Sequence, residues 1–438
     1  LKTWGFNTNS LNKLVSTISE IEENHKTIET QRASIDYDLD GLVYKVDDLK
    51  LQNRLGYVSN SPRWAIAHKF SSEKGFSIIK NIEIQVGRTG ALTPVAKIEP
   101  VNIGGVIVSN ATLHNEDEIK RKDIRIGDII CIQRAGDVIP QVLYVDKKKR
   151  KKKTKQFSFP ERCPSCGSKT IKEYNYSTKK NDAITRCPDL KFNCKEILRE
   201  KLKHFVSKDA LNIDGFGKKI VQNFWDLNMI KYPADLFNLN FEKISSLDGW
   251  GDLSVLNLKK SIKKSKKISL DKLIFAIGIR HIGQENAKTL AKYFLNIKKF
   301  EELFDIGKRK KILNHLLELD GIGETQINSL ETFFSNSNNI NIVSNLIKEL
   351  QITEYKTNKS GIFYGKTIMF TGGLSKMSRA EAKALVEKEG GKILGSASKK
   401  LDYLVVGDSK PTFKKVEKAK QLNIKILDEN SWYSLLNR

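Results

Sequence analysis

Three rhythms of apolar and polar positions run along this chain, and the points where they change divide it. Asp40-Gly41-Leu42-Val43-Tyr44-Lys45-Val46 alternates as a short strand does, with Val43 and Lys45 on one face and Leu42 and Tyr44 on the other. A second run, Ser61-Pro62-Arg63-Trp64-Ala65-Ile66-Ala67-His68-Lys69-Phe70, again carries a lysine next to its end. Upstream, Leu11, Leu14, Val15, Ile18 and Ile21 recur at roughly helical spacing, which predicts a helix over 11–28 and then a strand. Between 72 and 145, short β-prone runs at 82–86, 93–98, 105–108, 127–133 and 141–145 are broken by glycine turns, the pattern of a small barrel. From 200 to 350 amphipathic helices take over. Beyond 367 strands and helices alternate, which predicts a parallel sheet.

With 438 residues the chain has room for three or more domains, since single cores rarely grow beyond about 250–300 residues. No apolar run approaches the roughly 18 residues needed to span a bilayer, so no membrane partner is expected. The chain opens on Leu1 without a charged-then-apolar leader, and a fragment of a longer protein is expected. Its 76 lysines and arginines against 51 acidic residues give a net charge of +25, which favours a polyanionic partner, nucleic acid before membrane. A lysine-, asparagine- and isoleucine-rich coding bias is the competing explanation. The nearly unbroken basic run 147–155 reads as a linker or a nucleic-acid arm.

Charge and spacing also mark candidate chemistry. Lys45 and Lys69, on strands that read as buried, suggest a cleft holding phosphate; edge lysines reaching water are the alternative. Four of the five cysteines cluster as Cys163-Pro164-Ser165-Cys166, Cys187 and Cys194. Four thiolates suit tetrahedral zinc and leave no open position, so the site is expected to be structural. Neighbouring Lys169, Lys172 and Lys195 would favour its negative charge. The fifth, Cys131, reads as a buried thiol within an apolar run. An apolar-Asp-Gly-apolar-Gly repeat places Gly215 and Gly217, Gly249 and Gly251, and Gly321 and Gly323 at equivalent turns, and a further copy carries His281 in place of its first glycine. Thr371-Gly372 reads as a strand-end turn, with a phosphate nest as the alternative.

The string Asp-Gly-(apolar)-Val-x-Lys-Val, followed by Pro-Arg-Trp-Ala-x-Ala-x-Lys-Phe, resembles the last two nucleotidyltransferase motifs of bacterial NAD-dependent DNA ligases. The likeness continues through Gln85-Val86-Gly87-Arg88-Thr89-Gly90, Val108-Ser109-Asn110-Ala111-Thr112-Leu113-His114-Asn115 and Arg134-Ala135-Gly136-Asp137-Val138-Ile139-Pro140, and runs essentially from Leu1 to Arg438. It implies a multidomain α+β protein. In order, this would hold the C-terminal part of a nucleotidyltransferase (adenylation) domain (1–71), an OB-fold barrel (72–158), a four-cysteine zinc finger (159–198), a helix-hairpin-helix array (199–352) and an α/β BRCT domain (360–438).

The resemblance further implies NAD as substrate, Mg²⁺ or Mn²⁺, structural zinc, and nicked duplex DNA sealed in replication and repair. The adenylyl group passes from an enzyme lysine to a 5′-phosphate, and the 3′-hydroxyl then displaces AMP. It assigns Lys45 and Lys69 to the nucleotide and its phosphate charge, Arg32 to a phosphate, and Asp40 to orienting a lysine or helping to hold the metal. Arg88 and the hairpin glycines would meet DNA phosphates. A monomer in the bacterial cytoplasm, at the nucleoid, is expected, with the BRCT domain open to a protein partner. One departure stands out: the Lys-x-Asp-Gly that carries the family's nucleophile is absent from this chain, so it should not adenylate itself. The rival reading is therefore a non-catalytic scaffold that binds DNA nicks.

Overall fold

A computed structural model describes residues 2–436 except 38, 59–60, 136–138, 152–153, 176–178, 190–193, 356–360, 399 and 410. Parts of the Arg134–Pro140 motif, of the basic run 147–155 and of the 351–361 linker therefore lie outside the described residues. The chain divides into two compact units, one built from 1–85, 93–159 and 172–185, the other from 86–92, 160–171 and 186–438.

In the first unit the N-terminal helix runs Ile18–Gln31, seven residues later than its apolar spacing suggested. The reason is local. Thr17 accepts from the Glu20 backbone N–H while the Glu20 carboxylate takes the Thr17 N–H, a reciprocal cap that sets the start. Leu14, left outside, is 73% exposed. A single 3₁₀ turn, Arg32–Ser34, follows, and no strand occurs among the described residues before Gly41.

The strands Gly41–Lys45 and Ala65–Lys69 pair antiparallel, with Gly41 opposite Lys69 and Lys45 opposite Ala65. Gly41 is required by that approach: a Cβ there would lie 2.6 Å from Lys69 Cα and 2.5 Å from the His68 carbonyl oxygen. This accounts for the glycine of the Asp-Gly pair.

The barrel closes through Lys74–Val86, Leu92–Ile103, Val106–Thr112, Ile139–Val145 and Ile129–Ala135, in that spatial order. Its core holds Ile79, Ala96, Ile98, Ile103, Val108, Ile130, Ile132 and Val142, and Cys131 is fully buried. The first strand begins eight residues before the expected 82. Its inward positions are Gly75 and Ser77, which carry no apolar signal, whereas Phe76 and Ile78 face outward at 54% and 36% exposure. A Cβ at Gly75 would sit 2.7 Å from Ile103, and the Ser77 hydroxyl donates to the Glu99 carbonyl.

In the second unit, helix pairs build two adjoining cores, one around Phe205, Phe224 and Leu258 and the other around Leu290, Phe294 and Phe334. The C-terminal α/β domain has four parallel strands in the order Lys392–Ile393, Thr367–Thr371, Tyr403–Val406 and Lys425–Leu427. Trp432 is wholly buried there, with Phe363 stacked at 5.2 Å and Phe370 edge-on at 5.1 Å.

Buried Glu429 accepts from the Ser375 hydroxyl and backbone N–H and from the Tyr433 hydroxyl. Burial opposes its ionisation, but these donors prevail and hold its pKa down to about 2. A depressed carboxylate stabilises the fold above its ordinary pKa near 4.5, and that contribution is lost as pH falls from there towards 2. Glu429→Gln should therefore lower the domain's stability at pH 7 by about 1–3 kcal/mol and flatten its loss between pH 4.5 and 2. Amide exchange at Leu404 and Val405 would measure both; an unaltered slope with pH would exclude this origin.

Candidate functional site

The N-terminal helix and the two-stranded ribbon bring three of the four candidate catalytic residues together. The Lys69 ammonium pairs with the Asp40 carboxylate, whose pKa is lowered first by that hydrogen bond, then by the Lys69 charge, with a smaller contribution from Arg32. The Arg32 guanidinium lies 5.7 Å from the centre of the Phe70 ring. Lys45 does not join them. Alternation and pairing put it on the same ribbon face as Lys69, four residues along, about 13 Å away at strand rise.

The expectation that the two lysines lie on buried strands fails. Both are exposed, as is Val43 between them at 59%, because the helix packs on the other face of the ribbon, which it covers only in part, leaving Ile66 68% exposed. That covered face holds residues the pattern did not single out. His68 stacks on His25 at 3.8 Å, and the Tyr44 hydroxyl meets His68 Nδ1 at 3.3 Å. Glu29 accepts from the Ser71 N–H at 2.9 Å. Helical spacing from His25 through Glu29 to Arg32 was the available signal, since these positions share a face.

The four clustered cysteines converge, with all sulfurs within 4.8 Å of one another. Cys163 and Cys194 are 3.9 Å apart and Cys166 and Cys187 3.4 Å. Zinc–sulfur bonds of about 2.3 Å in a tetrahedron require roughly 3.8 Å between sulfurs, so the four fit one ion. Burial pushes the thiols of Cys187 and Cys194 up, the latter to about 11, and a dication is the group that would let them ionise. The Cys163–Cys166 turn is closed by N–H bonds from Gly167 to Cys163 and from Cys163 to Ser168. Of the lysines expected to balance the site, Lys172 instead pairs with Asp117 at 2.8 Å and Glu116 at 3.2 Å.

The turn Gly87-Arg88-Thr89-Gly90 packs on this cluster. The Cys187 N–H donates to the Gly90 carbonyl at 2.8 Å, and a Cβ at Gly90 (φ +78°) would meet the Cys187 oxygen at 2.2 Å. Arg88 is half-buried rather than a solvated turn arginine. Its guanidinium donates to the Gly278 carbonyl at 3.3 Å, beside His204, and burial lowers its pKa.

Four helical hairpins share one backbone. Gly215, Gly249 and Gly321 have φ of +78°, +83° and +85°, and His281 takes the same left-handed turn at +60°. Gly217, Gly251, Gly283 and Gly323 then begin the helices Lys218–Asp226, Asp252–Ser265, Gln284–Phe294 and Glu324–Phe334. No side chain caps the first three, whereas Gln326 takes the Gly323 N–H. A Cβ on five of the six predicted glycines would meet nothing within 4 Å, and at Gly323 it would meet only the Gln326 Oε1 at 3.4 Å, so the turns lie open. At Thr371-Gly372 the strand-end turn is what forms. The Thr371 hydroxyl accepts from the Thr412 N–H and the Gly373 N–H is taken by the Ser409 carbonyl.

Fold and site together define a multidomain protein with a nucleotidyltransferase ribbon, a barrel and a hairpin array. The family model for the NAD-dependent DNA ligase adenylation domain matches residues 1–73, that for the NAD-dependent DNA ligase OB-fold domain matches 76–154, the helix-hairpin-helix motif matches 272–343 and the BRCT domain matches 358–436. The first two of these models are domains of the NAD-dependent DNA ligase family, and the chain is similar to DNA ligases along its whole length. It is 56% identical to a DNA ligase of Pelagibacter ubique over all of this chain and 64% of that protein. It is 44% identical to one of Ehrlichia canis (100% and 64%) and 42% to one of Xanthobacter autotrophicus (99% and 62%). It thus spans under two thirds of the length of these relatives. Among the described residues, no helix is long and apolar enough to cross a membrane.

Proposed function

We propose that this chain is the part of an NAD-dependent DNA ligase that holds broken duplex DNA and supplies cationic groups to adenylyl transfer. The observation that carries this reading is the Asp40–Lys69 pair on the open face of a ribbon that also bears Lys45, in a chain matched by ligase domain models. Phosphoryl transfer spreads charge over equatorial oxygens, and preorganised cations lower its barrier. Lys69 and Lys45 neutralise the migrating adenylate, Arg32 meets a phosphate, and Asp40 orients Lys69. Mg²⁺ or Mn²⁺ enters with the phosphates, and the reaction serves bacterial DNA replication and repair at the nucleoid.

The cysteine cluster holds zinc and folds the segment between barrel and hairpins. The open turns at Gly215 and Gly217, Gly249 and Gly251, and Gly321 and Gly323 offer helix N–H groups to phosphates without reading sequence. Arg88 gives one guanidinium N–H to the Gly278 carbonyl and meets a DNA phosphate with others.

A second reading is a DNA-nick-binding scaffold with no chemistry of its own, which the open hairpin turns would serve equally well. Joining of a nick already carrying 5′-AMP separates the two, since that step needs no lysine nucleophile. The ligase reading expects slow joining by this chain, and the scaffold reading expects binding alone. A smaller test addresses the hairpins. Lys218 and Lys219 follow Gly217 directly, so Lys218→Ala/Lys219→Ala should weaken nicked-duplex binding by roughly fivefold and reduce the salt dependence by about two counterions. An unchanged salt slope would remove this hairpin from the DNA surface.

A further inference from the structure

Among the four hairpins, the one at Gly321 is the most acidic, ahead of the Gly249 turn with Asp248 and Asp252. Its segment Glu318-Leu319-Asp320-Gly321-Ile322-Gly323-Glu324 carries three acids and no base, whereas the Gly215 turn runs directly into Lys218 and Lys219. Alone, such a turn would repel a phosphate. It is not alone. The BRCT domain is seated on its acidic flank, outside the two glycines.

Leu319 and Leu394 form an antiparallel bridge, and the Gly395 N–H donates to the Glu318 carbonyl at 3.1 Å. The Leu319 side chain packs with the BRCT cluster of Met369, Leu394 and Leu404. Three ion pairs surround this seam: Lys383 to Asp320 at 2.5 Å, Lys292 to Glu387 at 2.5 Å and Lys400 to Glu318 at 3.4 Å. Two of the three place a BRCT lysine on a hairpin acid. Gly321 and Gly323 remain uncovered, so docking changes the charge of the turn without closing it.

We propose that the BRCT domain is the charge complement of the Gly321 hairpin. Lys383 and Lys400 neutralise Asp320 and Glu318, so that hairpin and domain present one phosphate-accepting surface to duplex DNA. This deepens the DNA-binding reading and rests on it. Lys383 then acts through Asp320, as a positioning residue, and need not touch DNA. Each neutralised acid removes one repulsion close to the phosphates, a short-range effect at physiological salt.

The test measures binding of this chain to a nicked duplex by fluorescence anisotropy, with amide exchange at Gly395 as the readout of docking. Lys383→Ala/Lys400→Ala is expected to weaken binding roughly five- to tenfold. Lys383→Ala alone should weaken it about threefold, and adding Asp320→Asn should restore it to within about twofold of the unaltered chain. Restoration is the signature of neutralisation, because a lysine that only fastens the domains, or only touches DNA, is not replaced by removing its acid. If Asp320→Asn fails to rescue, or if the lysine variants release Gly395 while affinity stays constant, the proposal is overturned and the hairpin serves docking alone. If the unaltered chain does not bind a nicked duplex, the DNA-binding reading itself falls, and this inference with it.

Discussion

Lys69→Ala in the intact protein is expected to lower nick sealing by about 10²–10³-fold, the loss typical when a preorganised donor to transition-state charge is removed. The stability of the domain should hardly change. Lys69 is half-exposed, its one described ion pair with Asp40 is itself exposed, and surface substitutions of this kind usually fall within about ±0.5 kcal/mol. Joining of a pre-adenylylated nick, followed in single turnover beside a thermal melt, distinguishes chemistry from folding. Lys45→Ala should behave similarly, and because Lys45 stands apart from the Asp40–Lys69 pair, its effect should not depend on Asp40. Asp40→Asn should cost less than Lys69→Ala, since it loosens the lysine without removing the charge. Near-normal joining by both lysine variants would refute the assignment and leave the scaffold reading.

Removing the metal should have the largest effect on folding. Four sulfurs within 4.8 Å, three of them in buried residues, have little apolar core around them to hold the segment together without an ion. Zinc at such a site contributes about 10–16 kcal/mol of folding energy. The chain is expected to carry one zinc ion, and Cys163→Ser or Cys194→Ser should abolish its retention. The Gly87–Gly90 turn should then lose protection from exchange, because the Cys187 N–H no longer finds the Gly90 carbonyl in place. Cys131→Ser is the control: that thiol belongs to the barrel and should leave the zinc content unchanged. Metal analysis showing no zinc in the unaltered chain would end this reading.

The elements whose signals are local could be read before folding. Period-two alternation identified the Gly41–Lys45 strand and the face shared by Val43 and Lys45. The repeat of Asp-Gly-x-Gly marked three equivalent turns, and cysteine spacing marked the four thiols that converge. Each depends on covalent geometry or on residues close in the chain, and so survives without tertiary contacts. Local capping by Thr17 and Glu20, rather than apolar spacing, sets where the first helix begins, seven residues later than that spacing predicts.

Other features belong to the assembled molecule. Nothing in the order of residues says that Lys69 would find Asp40 while Lys45 stands a ribbon's length away, because antiparallel register decides it. The buried first third of a barrel strand was invisible, since Gly75 and Ser77 fill inward positions that Ile103 and the Glu99 carbonyl leave too narrow for larger side chains. That Arg88 meets the Gly278 carbonyl across 190 residues, and that Lys383 sits on Asp320 across 63, are pairings of surfaces rather than of neighbours. Sequence alone determined which groups this protein possesses and the local turns that carry them. Only the tertiary structure decided which charges face one another, because Coulomb attraction and hydrogen bonding act over a few ångströms of space, and distance along the chain does not measure that.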